Sequence, residues 1–376
     1  MEQHARETTT GPPLTRLLAG LPASVPFVAP EALERRRGQP LDLRLGANES
    51  AFGVSPLARE AMLAALERIG QYGDPEVHDL RADLALLHGV AADEIVVGSG
   101  IDDLLGVITR AFVDGGQPVV TSLGAYPTFN YHVAGYGGAL HRAPYVGDRN
   151  DLRGLAETAA RVGARLVYLA NPDNPTGSLY TAAEITAWRA TLPADCLLLL
   201  DEAYIEFAPP GTAPPLCPAD PGVIRLRTFS KAHGLAGARI GYAIAARETV
   251  AALDKIRLHF GVNLVAQAGA RAALRDTAFL RDVVEAVAVG RRDYAALAEE
   301  LGLSALPSGT NFVALDLGSP ERAHAAMTAL LRRGVFVRVP GAPPLDRLVR
   351  VTVGTPPQRA AFAAALRAVC QSLERS

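Results

Sequence analysis

Two kinds of hydrophobic pattern alternate along the chain. One repeats at helical spacing: PLAREAMLAALERIG (56–70), HDLRADLALLHG (78–89, stopping at Gly89) and IDDLLGVITRAF (101–112) each set apolar residues three and four positions apart. The other is short and continuous: EIVVGSG (94–100), PVVTS (118–122), RLVYLAN (165–171), CLLLLDEAY (196–204), VIRLRTFSK (223–231) and IGYAIA (240–245). Apolar runs of that length, without polar alternation, fit strands buried on both faces. Helices between such strands predict an α/β domain with a mostly parallel sheet. In sheets of this kind ligands gather at the carboxyl ends of the strands, and GSG, NPDNPTG, DEAY and FSK fall there.

After about residue 270 the pattern changes to longer helical stretches (AALRDTAFLRDVVEAVAVGRRDYAALAEEL), followed by NFVALDL, GVFVRV and LVRVTVG. These predict a smaller α+β domain. The expected organisation is a leader and arm over 1–45, a large domain over 46–265 and a small domain over 266–376 that packs with part of the arm. No repeat and no low-complexity linker separates them, so the domains are expected to pack together rather than swing on a tether.

Composition acts mainly by exclusion. A length of 376 residues, at ~150 residues per domain, agrees with two or three domains. Hydrophobic residues at 49% and charged residues at 20% exclude global disorder. Basic and acidic residues number 37 and 39, with no basic stripe, so no nucleic-acid partner is expected. Cys196, Cys217 and Cys370 are too scattered for a disulfide framework or a thiolate zinc site, and the eight histidines form no HExxH pair; no metal is expected. The opening MEQHARETTTGPPLTRLLAGLPASVPFVAP lacks the unbroken apolar core of a signal peptide. No window approaches the roughly 20 apolar residues of a membrane span, so the expected location is the cytoplasm.

Candidate chemistry centres on Lys231, in TFSKAHGLAGARIGY. A lysine at a strand end is ordinarily solvated, but its neighbours point elsewhere. Asp201 closes the run CLLLL, where a buried carboxylate is costly without a positive partner. Tyr204 follows three residues on, Arg239 lies eight residues after Lys231, and NPDNPTG makes a tight turn with Asn174 at its corner. An amine, a carboxylate, and donors for a phenolate and a phosphate are what pyridoxal 5'-phosphate (PLP) requires of a protein. GSGIDD is not a dinucleotide fingerprint, because Asp103 stands where the third glycine belongs.

From about Leu45 to Thr355 the chain resembles the fold-type I PLP-dependent aminotransferases (class I/II), and within them the histidinol-phosphate aminotransferase group. The resemblance is carried by LGANESAFG, QYGDPE, VVGSGIDD, NPDNPTG, DEAYIEF, TFSKAHGLAGARIGY and LVRVTVGT, in family order. Each motif alone is weak; seven in order are specific. The resemblance implies that Lys231 bonds the cofactor and then moves the proton between substrate Cα and cofactor C4′. It implies that Asp201 pairs with the ring nitrogen, that Asn174 and Tyr204 donate to the phenolate oxygen, and that Tyr126 stacks on the ring. Thr228, Ser230 and Arg239 are implied to hold the phosphate, together with the backbone of Gly100, Ile101 and Asp102 at a helix start. Tyr72 is implied to reach that phosphate from the partner subunit of a homodimer. Arg350, with Asn174 beside it, is implied to bind the substrate α-carboxylate, and Arg338 matches an arginine used for a substrate phosphate.

The implied reaction is ping-pong transfer of an amino group between an amino donor and a 2-oxo acid. An unphosphorylated amino acid of specialised metabolism is the alternative donor; a PLP-dependent decarboxylase, which needs no acceptor, is the alternative reaction. The chain departs from the family at several points. Ile101 replaces a usual Ser, Ala or Thr, Gly73 replaces a Pro, and Ser50-Ala51 replaces Asn-Pro. In the arm, LPASVPFVAP places Ser24 or Phe27 where the family often has a Pro-Tyr. His233 is assigned no role, and the three cysteines are read as core or loop fillers.

Overall fold

The six short apolar runs and one further strand meet in one sheet: β1 (Ile95–Gly98), β2 (Pro118–Ser122), β3 (Ala139–Ala143), β4 (Leu166–Ala170), β5 (Leu197–Asp201), β6 (Val223–Thr228) and β7 (Gly241–Ile244). The computed structural model describes residues 12–22 and 28–374. Strand order is β1-β7-β6-β5-β4-β2-β3, and every neighbouring pair is parallel except those made by β7, which runs antiparallel to β1 and β6. Every residue of β4 and β5 is buried, as their unbroken apolar runs predict. Strand β3 (ALHRA) is an element the hydrophobic pattern does not announce. It lies at the sheet edge against β2 alone, so its outer residues stay partly exposed and polar residues are tolerated.

Helices start where the capping chemistry allows. α1 spans Pro30–Arg37, with Pro30 in its first turn. Ser55 accepts the backbone N–H of Ala58 and Pro56 takes the first turn of α2 (Pro56–Leu66). α3 spans His78–His88 and ends at Gly89. α4 (Ile101–Phe112) follows Gly100, whose φ of +91° turns the chain out of β1. The Asp103 carboxylate, in the first turn of α4, accepts the N–H of Ser99 at 2.8 Å. α5 (Pro127–Gly135) comes after Tyr126. α6 (Leu264–Arg275) packs on α2 and shares a core with Val97 and Ile240.

A three-stranded antiparallel sheet, β8 (Ser304–Ala305), β9 (Phe312–Asp316) and β10 (Leu348–Thr352), packs with α7 (Thr277–Glu300), α8 (Pro320–Arg332) and α9 (Pro356–Leu373) around Val287, Phe312 and Phe362. The segment GVFVRV is shorter as a strand than its sequence predicts. Only Val335–Phe336 is extended in a ladder, pairing in parallel with Leu43–Arg44 at the other end of the chain. Arg338 lies beyond that ladder and makes an isolated antiparallel bridge to Arg350 of β10. This bridge and the Leu43–Arg44 pairing bring the N-terminal segment and the C-terminal sheet to the mouth of the large sheet.

Candidate active site

The carboxyl ends of β1, β4, β5 and β6 open onto a cavity of about 760 Å³. Ile101, Asp102, Tyr126, Asn174, Asp201 and Tyr204 line it from the large sheet, and so do Thr228, Ser230, Lys231 and Arg239. Arg338 and Arg350 close it from the other side. Two of the expected site residues lie off the wall: Gly100, directly behind Arg239, and Tyr72, which is 81% exposed on the surface.

Asp201 is nearly sealed from solvent, and burial pushes its carboxyl up to about 6. The expected cationic partner is absent among the described residues. The Tyr168 hydroxyl donates to Oδ2 at 2.7 Å and the Ala203 N–H donates to Oδ1 at 2.9 Å. Two neutral donors hold the carboxylate in place without neutralising it, so it still favours a positive N–H group from the cavity. The next residue points the other way: Glu202 pairs with Arg225 and with Arg227 in the protein interior.

Lys231 lies across the cavity with Nζ donating to the backbone carbonyl of Asn48 at 3.0 Å and 5.7 Å from the centre of the Tyr204 ring. Burial, aided by the nearby Arg350 charge, lowers its ammonium to about 8 against the opposing pull of Asp102 and Glu49. An amine so placed is partly neutral near physiological pH and can act as nucleophile or base.

Asn174 sits at the corner of the turn after β4. The turn is held by Asp173, whose carboxylate accepts from Thr176, Tyr145 and Asn150. The Asn174 side-chain oxygen accepts from Arg350 Nη1, and the Gly46 carbonyl accepts from Nη2 at 3.0 Å. Arg350 Nε is buried with no hydrogen-bond partner among the described residues. Arg338 and Arg350 exchange backbone hydrogen bonds of 3.2 and 2.7 Å, which sets their side chains beside one another. The Arg338 guanidinium has no ion pair or side-chain hydrogen bond among the described residues, and burial lowers its pKa.

At the opposite end Arg239 sits with φ +57°, one Nη2 at 3.5 Å from Asp102 Oδ2, while the Tyr126 hydroxyl donates to Asp102 Oδ1 at 2.8 Å. A Cβ at Gly100 would stand 2.6 Å from Arg239 Nη2, so only glycine leaves the guanidinium its seat. The Ser230 N–H donates to Thr228 Oγ1 at 3.0 Å, and both residues line the cavity together with Ile101 and Asp102 at the α4 N-terminus.

Residues 42–366 match the family described as Aminotransferase class I and II. The chain belongs to that family. It is a PLP-dependent aminotransferase of fold type I. A histidinol-phosphate aminotransferase from Carboxydothermus hydrogenoformans is 35% identical over 95% of this chain and 99% of its own. One from an Anaeromyxobacter species is 38% identical over 90% of this chain and 93% of its own. The solved structure of histidinol-phosphate aminotransferase from Sinorhizobium meliloti, in complex with pyridoxal-5'-phosphate, is 47% identical, covers 98% of this chain and 100% of its own, and superposes with a TM-score of 0.94.

The aminotransferase's own residues fit PLP. A carboxylate raised by burial and lacking a cation, a lysine whose ammonium burial lowers to about 8, and a glycine cradle against an arginine at a helix start are the donor set that the ring nitrogen, aldehyde and phosphate need. Ile101 lines the same end of the cavity as Thr228, Ser230 and Arg239 with an apolar side chain, where the family usually has Ser, Ala or Thr. Asn48, Tyr168 and Asp173 were not among the residues expected in the site. Asn48 stands in the motif ANES, where the mark of its importance is a left-handed backbone (φ +55°) rather than its polarity. Ser24 and Phe27, the expected arm contacts, lie outside the described residues; the neighbouring Val28 to Pro30 line the cavity. His233 packs on Phe229, and burial drops its pKa to about 4.

Proposed function

We propose that this aminotransferase draws its amino group from a phosphorylated amino alcohol of the histidinol-phosphate kind and passes it to a 2-oxo acid, working as a cytoplasmic homodimer. One observation carries the reading: two arginines stand side by side in one cavity, and Arg338 has no anion beside it among the described residues. A half-buried guanidinium without a partner is expensive unless the ligand supplies the anion. The names of the relatives at 35 and 38% identity agree with a phosphorylated donor.

PLP supplies an aldehyde that takes up the donor's amine and a ring that withdraws electrons from its Cα. Lys231 serves first as the covalent anchor and then as the base that carries the proton from the donor's Cα. Asp201 keeps the ring nitrogen protonated, Tyr126 covers the ring face, and Asn174 and Tyr204 donate to the ring oxygen. Thr228, Ser230, Arg239 and the backbone of Gly100 to Asp102 hold the cofactor's phosphate. Arg350 takes the α-carboxylate of the 2-oxo acid, and Arg338 takes the distal anion of the donor. The large domain carries the cofactor, its expected end at 265 moved to the end of α6 (Arg275), which packs on α2 and shares the core of Val97 and Ile240. The rest of the chain to 376, expected from 266, carries the substrate arginines together with the arm (1–45).

Arg338→Ala tests the donor. Steady-state rates are compared on histidinol phosphate, histidinol and a panel of neutral and basic amino acids. The expected result is a selective loss on the phosphorylated donor of ~2–3 kcal/mol, roughly 30- to 150-fold in kcat/KM. Equal losses on all donors, or a wild type that prefers an unphosphorylated amino acid, reject the phosphate reading and leave the aminotransferase intact.

The dimer rests on the surface around Tyr72. Its ring lies 4.8 Å from that of Phe260, and Ile69 and Leu258 are 61% and 70% exposed nearby. An apolar patch holding a residue that the family pattern sends to a neighbour's phosphate is what a second copy covers. Tyr72→Phe subunits mixed with Lys231→Ala subunits yield heterodimers in which one site carries both defects and the other neither. Activity regained on mixing is the expected result; none in proven heterodimers excludes a shared site.

A further inference from the structure

The loop before α2 places one residue, Asn48, against both Lys231 and Tyr204. It is 2% exposed and adopts φ +55°, a conformation that Asn tolerates better than most side chains. Its backbone carbonyl accepts Lys231 Nζ at 3.0 Å and Asn311 Nδ2 at 3.1 Å. Its side chain is oriented from the small sheet. The Asn48 N–H donates to Thr352 Oγ1 at 3.1 Å, and that hydroxyl donates to Asn48 Oδ1 at 3.2 Å. With Oδ1 engaged, Nδ2 faces the Tyr204 oxygen and donates to it at 2.9 Å.

We propose that Asn48 is a positioning residue that determines where Tyr204 sends its phenolic proton. An oxygen that accepts from Nδ2 has its own O–H left to give elsewhere, and the cavity is the open direction. Accepting a bond also makes the phenol a better donor. The inference rests on the assignment of Tyr204 to the cofactor's ring oxygen, and it adds that the donor is set from the small domain through Thr352 and Asn48. Burial raises the Tyr204 phenol to about 12, with Arg350 and Asn48 opposing and Asp201 and Asp173 reinforcing. Those groups, with Lys231 facing the ring, are the charges that meet the phenol from β10, β5, the turn after β4 and the loop after β6. The phenol therefore stays protonated and able to donate throughout the working pH range.

The test is the pH midpoint at which the visible absorption of the bound cofactor changes, in wild type, Asn48→Gly, Asn48→Asp, Tyr204→Phe and the Asn48→Gly/Tyr204→Phe double variant. Glycine accepts the backbone angle and keeps the carbonyl that Lys231 uses, so it removes the amide alone. A donor to the ring oxygen lowers the proton affinity of the cofactor–lysine linkage, so weakening the donor moves the midpoint to higher pH. Tyr204→Phe and Asn48→Gly are each expected to raise it, the latter by roughly half to one pH unit. Asn48→Asp, equal in size but accepting where the amide donates, turns the phenol proton away from the cavity and raises the midpoint at least as far. In the Tyr204→Phe background Asn48→Gly is expected to add nothing. A merely structural role would lower the melting temperature or cofactor occupancy and leave the midpoint in place. An equal Asn48→Gly shift with and without Tyr204, or no shift from either Asn48 variant while Tyr204→Phe moves the midpoint, overturns the inference alone. No shift from Tyr204→Phe overturns the assignment of Tyr204, and the inference with it.

Discussion

Lys231→Ala is expected to lose turnover by roughly 10³-fold or more, because covalent attachment and the general base vanish together. The side chain has no substitute within the cavity. The neighbouring cations are guanidiniums, and even Arg350, which burial lowers to about 10, stays charged near neutral pH and offers no free amine. Amines supplied from solvent are expected to restore only the proton-carrying part of the role, because they cannot tie the cofactor to the chain. Borohydride is expected to fix the cofactor covalently to Lys231 in the wild type, with the label recovered in the peptide that holds FSKAHG, and to fix none in the variant. A variant that turns over normally would remove Lys231 from the chemistry.

Asp201→Ala is expected to cost ~3 kcal/mol in the barrier, about 10²-fold in rate, while part of the cofactor still binds. Phosphate contacts at the other end of the cavity do not involve Asp201, whereas the ring nitrogen loses its counter-charge. Tyr168 and the Ala203 N–H then face a void, and neither holds a proton on the ring. The pH dependence of the cofactor-free protein supplies a second readout. The Asp201 carboxyl is raised by burial from about 4 in an unfolded chain to about 6 when folded. A raised carboxyl favours the folded state below pH ~4 and loses that contribution as pH climbs through ~6. Without cofactor, the melting temperature of the wild type should therefore fall relative to Asp201→Ala across that window. Near-native rates in Asp201→Ala, with an unchanged absorption spectrum, would deny the carboxylate its role.

The parts of the fold that were legible in the sequence are those where burial is complete. LVYLA and LLLLD have no solvent-facing residues, so their composition alone announces strands, and the charged groups at their ends stand out. Strand β3 gives no apolar signal because an edge strand keeps polar residues, and GVFVRV forms a shorter strand than its composition predicts because its ladder partner, Leu43–Arg44, is short and remote in sequence. The DE pair at the end of β5 shows a finer limit. Two adjacent carboxylates point to opposite sides of the strand end, one into the cavity and one onto Arg225 and Arg227, and only the structure displays the second set of partners. Asn48 lay hidden for the opposite reason: a polar residue in a polar loop carries no contrast, and what singles it out is a backbone angle and four hydrogen-bonded neighbours that converge from distant segments.

In the proposed function a phosphorylated amino donor gives its amino group to the cofactor held at Lys231 and leaves as the corresponding oxo compound. The most direct test is a half-reaction: stoichiometric histidinol phosphate is added to the yellow enzyme with no acceptor present, and the visible spectrum is followed. The predicted result is loss of the cofactor's visible absorption with recovery of pyridoxamine phosphate, reversed when a 2-oxo acid is added. An unchanged spectrum with histidinol phosphate, or carbon dioxide released from a phosphorylated amino acid with the spectrum returning unaided, would contradict it.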